Sequence, residues 1–330
     1  MKTADKPLIA KRKHHHVWAY YLKRWSADGM NVYYTTAKNK IVYETIKGVA
    51  MELDFYKLSK LSKFDIQVIE LFSKNSPPEL QKEHRRQLKH FLIAQKLEEE
   101  LESRGISDST AAEDINALYS NLLEDTHGIV ERLARPVLDE LANRKVEVLS
   151  NKQNMVAFIS FFGHQLVRTK SFKSQSIAAF DRNSPQAKQV AESISRAWWF
   201  HSYMFGMNIG RSLYLEYRDK PHTLLINETS TPFITSDQPI INVHPELPDT
   251  KLKTPPKSAD FYYPISPTVA YIICDSGRFP GGTISLNERE VSEFNLKIAK
   301  NAHTHIFGAD EKTLLPLKPH VGSRRIDRKN

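Results

Sequence analysis

The sequence predicts an α+β fold, with a mostly helical middle flanked by a β-hairpin N-terminal part and a short-stranded C-terminal β-region, packed as one unit. Three observations carry this. Helical periodicity dominates the centre of the 330 residues, strand-like segments rich in β-branched and aromatic residues lie at both ends, and no repeat or linker separates them. The chain therefore reads as one integrated domain: a helix plus hairpin over 1–60, a helical region over 61–220, and a β-rich region with one helix over 221–330. Residues 1–60 are not expected to stand alone, because one hairpin and one short helix are marginal in water.

Each element has its own signal. Trp18, Tyr21, Leu22 and Trp25 recur at helical spacing. Residues 31–36 and 41–45 are strand-like, joined as a hairpin by 37–40. Helices are predicted over 64–73, broken by Pro77-Pro78; over 79–103, ended by Gly105; and over 109–143, bent at Pro136. Residues 152–169 are apolar around the whole helical circumference, which predicts a central, buried helix. A further helix is expected from about 185 to 208. Short strands are expected at 222–227, 231–235, 240–243, 261–264 and 269–275, with 245–258 an exposed loop. A helix should open near 285–287 and run to about 301, leading to a last strand at 303–307.

Composition is that of an ordinary globular protein, 40% hydrophobic and 26% charged. The single cysteine, Cys274, excludes an internal disulfide and reads as a small buried hydrophobe in a strand. No apolar run reaches the ~20 residues that cross a bilayer, and no signal peptide is visible, so no membrane association and a cytoplasmic setting are expected. The net charge of +9 is concentrated at the ends. Residues 1–25 hold seven basic side chains against one acidic, residues 312–330 hold six against one, and the rest is nearly neutral. Nucleic acid is thus a candidate partner only through the termini.

Four blocks stand out: His14-His15-His16 running on to Tyr21-Leu22, Gln165 with Arg168-Thr169, Thr235-Ser236-Asp237-Gln238-Pro239, and Pro264-Ile265-Ser266-Pro267. Histidine titrates near neutrality and suits acid–base work, which makes His14 and His15 candidate catalytic residues. Gln165 and Arg168 share a helix face at i,i+3, and an arginine closing so apolar a helix needs an anion or the helix's own terminal carbonyls. Asp237, between a strand and a proline, can present a carboxylate or cap downstream amides. His14 or His15, Arg168 and Asp237 are expected to converge on one pocket, with Gln165, Ser236 and Asn295 as binding residues. No compact metal signature, phosphate loop or serine-hydrolase elbow is present, so no metal ligand is assigned, and the cofactor and any metal requirement stay open. Arg85 with His90, and Arg196 with His201, repeat an Arg-x4-His spacing also found in helical ribonucleases.

The blocks resemble the bacterial family catalogued as domain of unknown function 4238, whose pattern is a His-His pair leading to Tyr-Leu, Gln-x-x-Arg-Thr, Thr-Ser-Asp-x-Pro and Pro-Leu-Ser-Pro. Glu293-Phe294-Asn295 is similar to the Asn-bearing helix near that family's C-terminus. Trp18 stands where the family usually has proline, and Ile265 where it has leucine. The resemblance implies site positions and fold limits, and no reaction. On the residues, the first functional expectation is a phosphodiester hydrolase, a nuclease-like effector for which host defence is the guessed setting, built on a His/Arg/Asp pocket. The alternative is a non-catalytic module binding an anion, a peptide or a protein, in which the same residues serve recognition or architecture.

Overall fold

A computed structural model describes residues 8–106, 108–180, 184–247 and 258–324. In chain order the elements begin with strand β1 (Lys13–His15), helix α1 (Ala19–Leu22) extended by a 3-10 turn to Trp25, strands β2 (Asn31–Thr35), β3 (Ile41–Thr45) and β4 (Met51–Leu53). Helices α2 (Lys63–Ser73), α3 (Pro78–Ser103), α4 (Ser109–Ala142), α5 (Lys152–Val167), α6 (Lys170–Ala178), α7 (Pro185–Arg196) and α8 (Trp198–Tyr217) follow. Strands β5 (Thr223–Asn227), β6 (Thr235–Ser236), β7 (Ile241–Asn242), β8 (Phe261–Ser266), β9 (Val269–Ile273) and β10 (Gly282–Leu286) lead to α9 (Glu288–Asn301), β11 (Ile306–Gly308) and α10 (Glu311–Leu314).

The two ends of the chain share a sheet, in the order β3-β2-β11-β6. Tyr34 faces Phe307 and Tyr33 faces Gly308 across the β2–β11 pair, so the N-terminal hairpin is continuous with C-terminal strands. In the hairpin turn Asn39 sits at φ 56°, a left-handed conformation that asparagine tolerates. A second sheet, β10-β5-β9-β8-β7, is antiparallel except for the β10–β5 pair. Its central strands are buried throughout because both faces are covered. Alternation splits them: Leu224, Ile226, Tyr263 and Tyr271 face one core, and Leu225, Tyr262 and Ile272 face another. On the first side Phe158 of α5 meets Tyr271 edge-on at 4.8 Å, and on the second Phe294 of α9 stacks on Tyr262 at 4.4 Å.

The central helix behaves as its sequence predicts: Phe158, Ile159 and Phe161 through Val167 are buried. Its opposite side crosses α8 at glycines. A methyl group added to Gly163 would sit 2.5 Å from the Gly206 carbonyl oxygen and 2.8 Å from the Gly210 nitrogen, so the two backbones are in direct contact. Asn151 caps the helix, its side-chain oxygen accepting from the Gln153 and Asn154 amides at 2.9 and 3.1 Å.

Several expectations need correction. The helix drawn from 185 to 208 is two helices broken at Ala197, and α8 runs on to Tyr217. Helix α6 and strands β1, β4 and β10 carry no signal that the sequence reading caught; the three strands exist because partners elsewhere complete them. Of the strand expected at 231–235 only Thr235 is in a strand, β6, since Pro232 and a loop bonded to other segments occupy the rest. Cys274 is half-buried at the end of β9, with Sγ 3.3 Å from Ser276 Oγ. Most of the loop expected at 245–258, and the outermost basic residues of both termini, lie outside the described residues. Among the described residues no helix is long and apolar enough to cross a membrane.

Two stability tests follow. Phe162, fully enclosed, should cost about 3–5 kcal/mol as Phe162→Ala in denaturant unfolding. Gly163→Ala must push two helices apart and should cost about 1–3 kcal/mol. In the same assay Gly128→Ala, whose new methyl would meet only the mobile tip of Arg132 at 3.6 Å, should instead stabilise α4 by up to about 1 kcal/mol.

Candidate functional site

Helix α4 carries Glu124, His127 and Glu131 at i, i+3 and i+7, which places all three on one face. That face meets the C-terminal turn of α5, where His164, Gln165 and Arg168 project, and the segment holding His14 and Tyr56. The resulting cluster of polar side chains, called the chamber below, is set among apolar packing, and Arg168 is its hub. At 2% exposure its guanidinium donates from Nη1 to Glu131 Oε1 at 2.6 Å, and from Nη2 and Nε to Gln165 Oε1 at 2.5 and 3.1 Å. Gln165 Nε2 in turn donates to the His16 carbonyl at 3.1 Å, and the Tyr56 hydroxyl donates to the Arg168 carbonyl at 2.8 Å. Arg168 therefore closes its helix with a fixed carboxylate, and that carboxylate is Glu131, not Asp237.

His14 is fully buried with both ring nitrogens engaged. Nδ1 accepts from the Tyr56 amide at 2.7 Å, which requires Nε2 to carry the proton it donates to the Lys11 carbonyl at 2.6 Å. Burial lowers its pKa, consistent with a neutral ring. His14 thus fastens β1 to the turn at Tyr56. His15 is half-buried with Nε2 unpartnered, and His16 is enclosed, its pKa driven well down by burial and then by the Lys170 charge.

The chamber's other groups are less committed. His127 is 3% exposed and neither of its ring nitrogens has a hydrogen-bond partner; the same holds for Nδ1 of His164. Their rings lie 5.8 Å apart, with Tyr56 4.9 Å from His127 and Tyr203 5.4 Å from His164. Burial, then the Arg168 charge, holds His164 at about 4 and pushes His127 well down, so both are neutral at pH 7. Glu124 moves the other way. Burial outweighs the attraction of Arg168 and, with the Glu131 charge adding to it, takes the carboxyl from its ordinary 4.5 to about 7.

Asp237 has a different task. Oδ1 accepts from the His303 amide at 2.7 Å, while Oδ2 accepts from the Thr304 and His305 amides at 2.7 and 3.0 Å. The carboxylate organises the turn that leads into β11. The three groups expected to converge share no direct hydrogen bond: Tyr56 links His14 to the Arg168 carbonyl, and Asp237 is bound to the 303–305 turn. The remaining candidates are also fasteners. Ser236 Oγ donates to the Gln238 carbonyl at 2.8 Å and accepts from its amide at 3.1 Å. Asn295 accepts from the Ile234 amide and donates to the Pro232 carbonyl, both at 2.9 Å, tying α9 to the segment before the block. Gln238 reaches Thr169 Oγ1 and the Leu166 carbonyl, so the Asp237 block is joined to the end of α5 by its neighbour.

Neither Arg-x4-His string forms a pair. Arg85 and His90 are exposed on α3, Arg196 donates to Asp65 at 2.9 Å, and His201 is enclosed beside Phe72 and Phe205. Among the described residues no three His, Cys, Asp or Glu side chains are arranged to hold a metal ion. Sequence reading missed Glu124, His127, Glu131 and Tyr56. The signal was present, as polar residues at i, i+3, i+7 beside the buried positions Leu123 and Ala134 of α4.

The family described as "Protein of unknown function (DUF4238)" matches residues 13–312. The chain belongs to this family. All of the blocks lie within the match, as do all the residues of the chamber. Neither the curated proteins nor the solved structures hold a match to the chain.

Two measurements probe the chamber. Arg168→Ala leaves Glu131 buried without its cation and should cost about 3–5 kcal/mol in urea unfolding, with the Arg168→Ala/Glu131→Ala pair less damaging than the sum of the singles. Glu124 binds its proton more tightly folded than unfolded. The stability it contributes is complete below about 4.5 and is lost as pH rises through about 7. Glu124→Gln should therefore raise the melting temperature relative to wild type at pH 8, with the gain disappearing by about pH 4.5.

Proposed function

We propose that the chain is a hydrolase working by general acid–base chemistry in the α4–α5 chamber, with Glu124 as proton donor. The observation that carries this reading is that Glu124 shares one face of α4 with His127, whose two ring nitrogens are buried without a hydrogen-bond partner; burial also raises the Glu124 carboxyl to about 7 and keeps the imidazoles neutral. A carboxyl of that pKa is still partly protonated at neutral pH and can give a proton to a leaving group. The neutral His164 ring, at about 4, supplies the complementary base. Arg168 and Gln165 act on this reading as positioning residues, because their polar atoms are bonded to Glu131 and to the His16 carbonyl.

An uncharged substrate suits the chamber better than the phosphodiester suggested by the His/Arg/Asp palette. The guanidinium is already neutralised by Glu131, and a second carboxyl stands nearby, so an anion would meet no net positive charge. The non-catalytic reading is favoured by one specific observation: His14, Ser236, Asp237 and Asn295 all have internal partners. A reducing compartment, the cytoplasm, is the setting we infer from the single cysteine.

The test is turnover by wild type and Glu124→Gln of a panel of uncharged esters and amides, beside bis-p-nitrophenyl phosphate, RNA, single-stranded DNA and duplex DNA. Turnover of an uncharged substrate should drop about 10²–10⁴-fold in the variant. The rate should rise through about pH 4 and fall through about pH 7. Hydrolysis of nucleic acid would restore the phosphodiester reading, and no turnover by folded wild type would leave the binding module.

A further inference from the structure

A second set of reactive groups lies on the other side of the helical region, where α2, α3 and α8 meet. The chain turns at Pro77-Pro78 between α2 and α3, so the last residue of one helix faces the second turn of the next. There Ser73 Oγ lies 3.0 Å from His84 Nδ1. Both line a cavity of about 260 Å3 with an apolar wall at Ile69 and Leu88 and with Lys74, Arg85 and Glu70 exposed at its rim, two cations against one carboxylate. His84 is 1% exposed, and its second ring nitrogen, Nε2, has no hydrogen bond of full geometry.

The third group comes from α8. The Asn208 side chain donates from Nδ2 to Ser76 Oγ at 3.0 Å, which leaves its Oδ1 as a buried acceptor without a partner. Burial lowers the His84 pKa, while a neighbouring hydrogen-bonding contact from Asn208 opposes it. A proton on Nε2, turned toward Asn208 Oδ1, satisfies both orphaned atoms. It also leaves Nδ1 as the bare acceptor for the Ser73 hydroxyl. This is the arrangement of a nucleophile, a base within hydrogen-bond reach, and a third group that orients the base. A fastener between two helices would need only the Ser73–His84 bond, with no cavity beside it and no third group holding the ring from behind.

We propose that Ser73, His84 and Asn208 form a nucleophilic site that takes small acyl esters, with Arg85 and Lys74 favouring an acyl chain that carries a carboxylate. Ser73 Oγ attacks the acyl carbon and its proton passes to His84 Nδ1. The ester C–O bond breaks, and the departing alcohol leaves with that proton as the acyl group stays on Ser73. Water then attacks the acyl carbon, giving its proton to Nδ1, and the acid is released as Ser73 regains a proton from His84. No metal, oxidant or further reactant is needed. Ile69 and Leu88 would hold the acyl chain, and a cavity of this size limits it to a few carbons. The site does not depend on the Glu124 chamber, and the two are separable by experiment.

The experiment uses the full chain and a fluorophosphonate probe, which phosphonylates a serine activated by a base and releases fluoride. Intact mass and peptide mapping should find one adduct on wild type, on Ser73. His84→Gln should slow adduct formation at least about 10²-fold, the scale of a lost general base. Turnover of a short ester whose acyl chain carries a carboxylate should disappear in Ser73→Ala; this substrate class separates the site from the Glu124 chamber, whose expected substrates are uncharged. No adduct on folded wild type, an adduct on another residue, or an unchanged rate in His84→Gln would each overturn the proposal.

Discussion

The structure depends on how one charge is closed inside it. Arg168 ends a helix that is apolar all round and lies between a sheet and another helix, so its guanidinium is buried with it. An unpaired cation there would cost several kcal/mol, which no nearby apolar contact could offset. Glu131 neutralises it from α4, Gln165 completes its donors from the preceding turn of the same helix, and Tyr56 takes up the carbonyl behind it. Each partner belongs to a different part of the chain or binds one that does. Satisfying Arg168 therefore orders α4, α5, β1 and the Tyr56 turn relative to one another.

Backbone contact sets the other side of α5. Gly163, Gly206 and Gly210 let two helices touch without side chains between them, and Gly206 also leaves room for the His164 ring. Close approach by α8 is what encloses that ring and keeps it neutral. Burial of Glu124 between α4 and its neighbours pushes that carboxyl in the opposite direction, because burial penalises whichever form is charged. A carboxyl raised and imidazoles lowered in one chamber are thus two results of one packing arrangement. The glycine crossing and the arginine hub together make the chamber, the first by excluding water and the second by supplying its fixed charge.

The blocks that stand out in the sequence are mainly joints. Asp237 gathers three amides at the entry to β11, Asn295 holds the segment before β6, and Tyr21 donates to the Pro264 carbonyl at 2.6 Å while meeting Thr235 Oγ1 at 2.7 Å. A buried backbone group that loses its only partner costs as much as a lost core contact, so side chains that serve such groups are as specific as those of a reaction centre. Polar residues at unusual positions therefore signal burial with a task, and the task can be structural. Asp237 and His14 show this: both have the chemistry of catalysis, and both have every oxygen or nitrogen occupied.

The sequence by itself determined the class of fold, the central helix and the order of the longer helices and strands. Those follow from periodicity, from caps such as Asn151 and Asn287, and from breakers such as Pro77-Pro78, all of which act within a few residues. It also marked Arg168 as a buried cation in need of an anion. Only the tertiary structure decided that the anion is Glu131. The pairing spans 37 residues of chain, and several carboxylates were available. Strands β1, β4 and β10 were hidden for the same reason, since a three-residue strand or an exposed edge has no pattern of its own and exists through its partner. Glu124 and His127 carry no distinguishing mark on α4 except their spacing. What sets them apart is solvent exclusion, which depends on the packing of α4, α5 and α8 around them and is a property of no single segment.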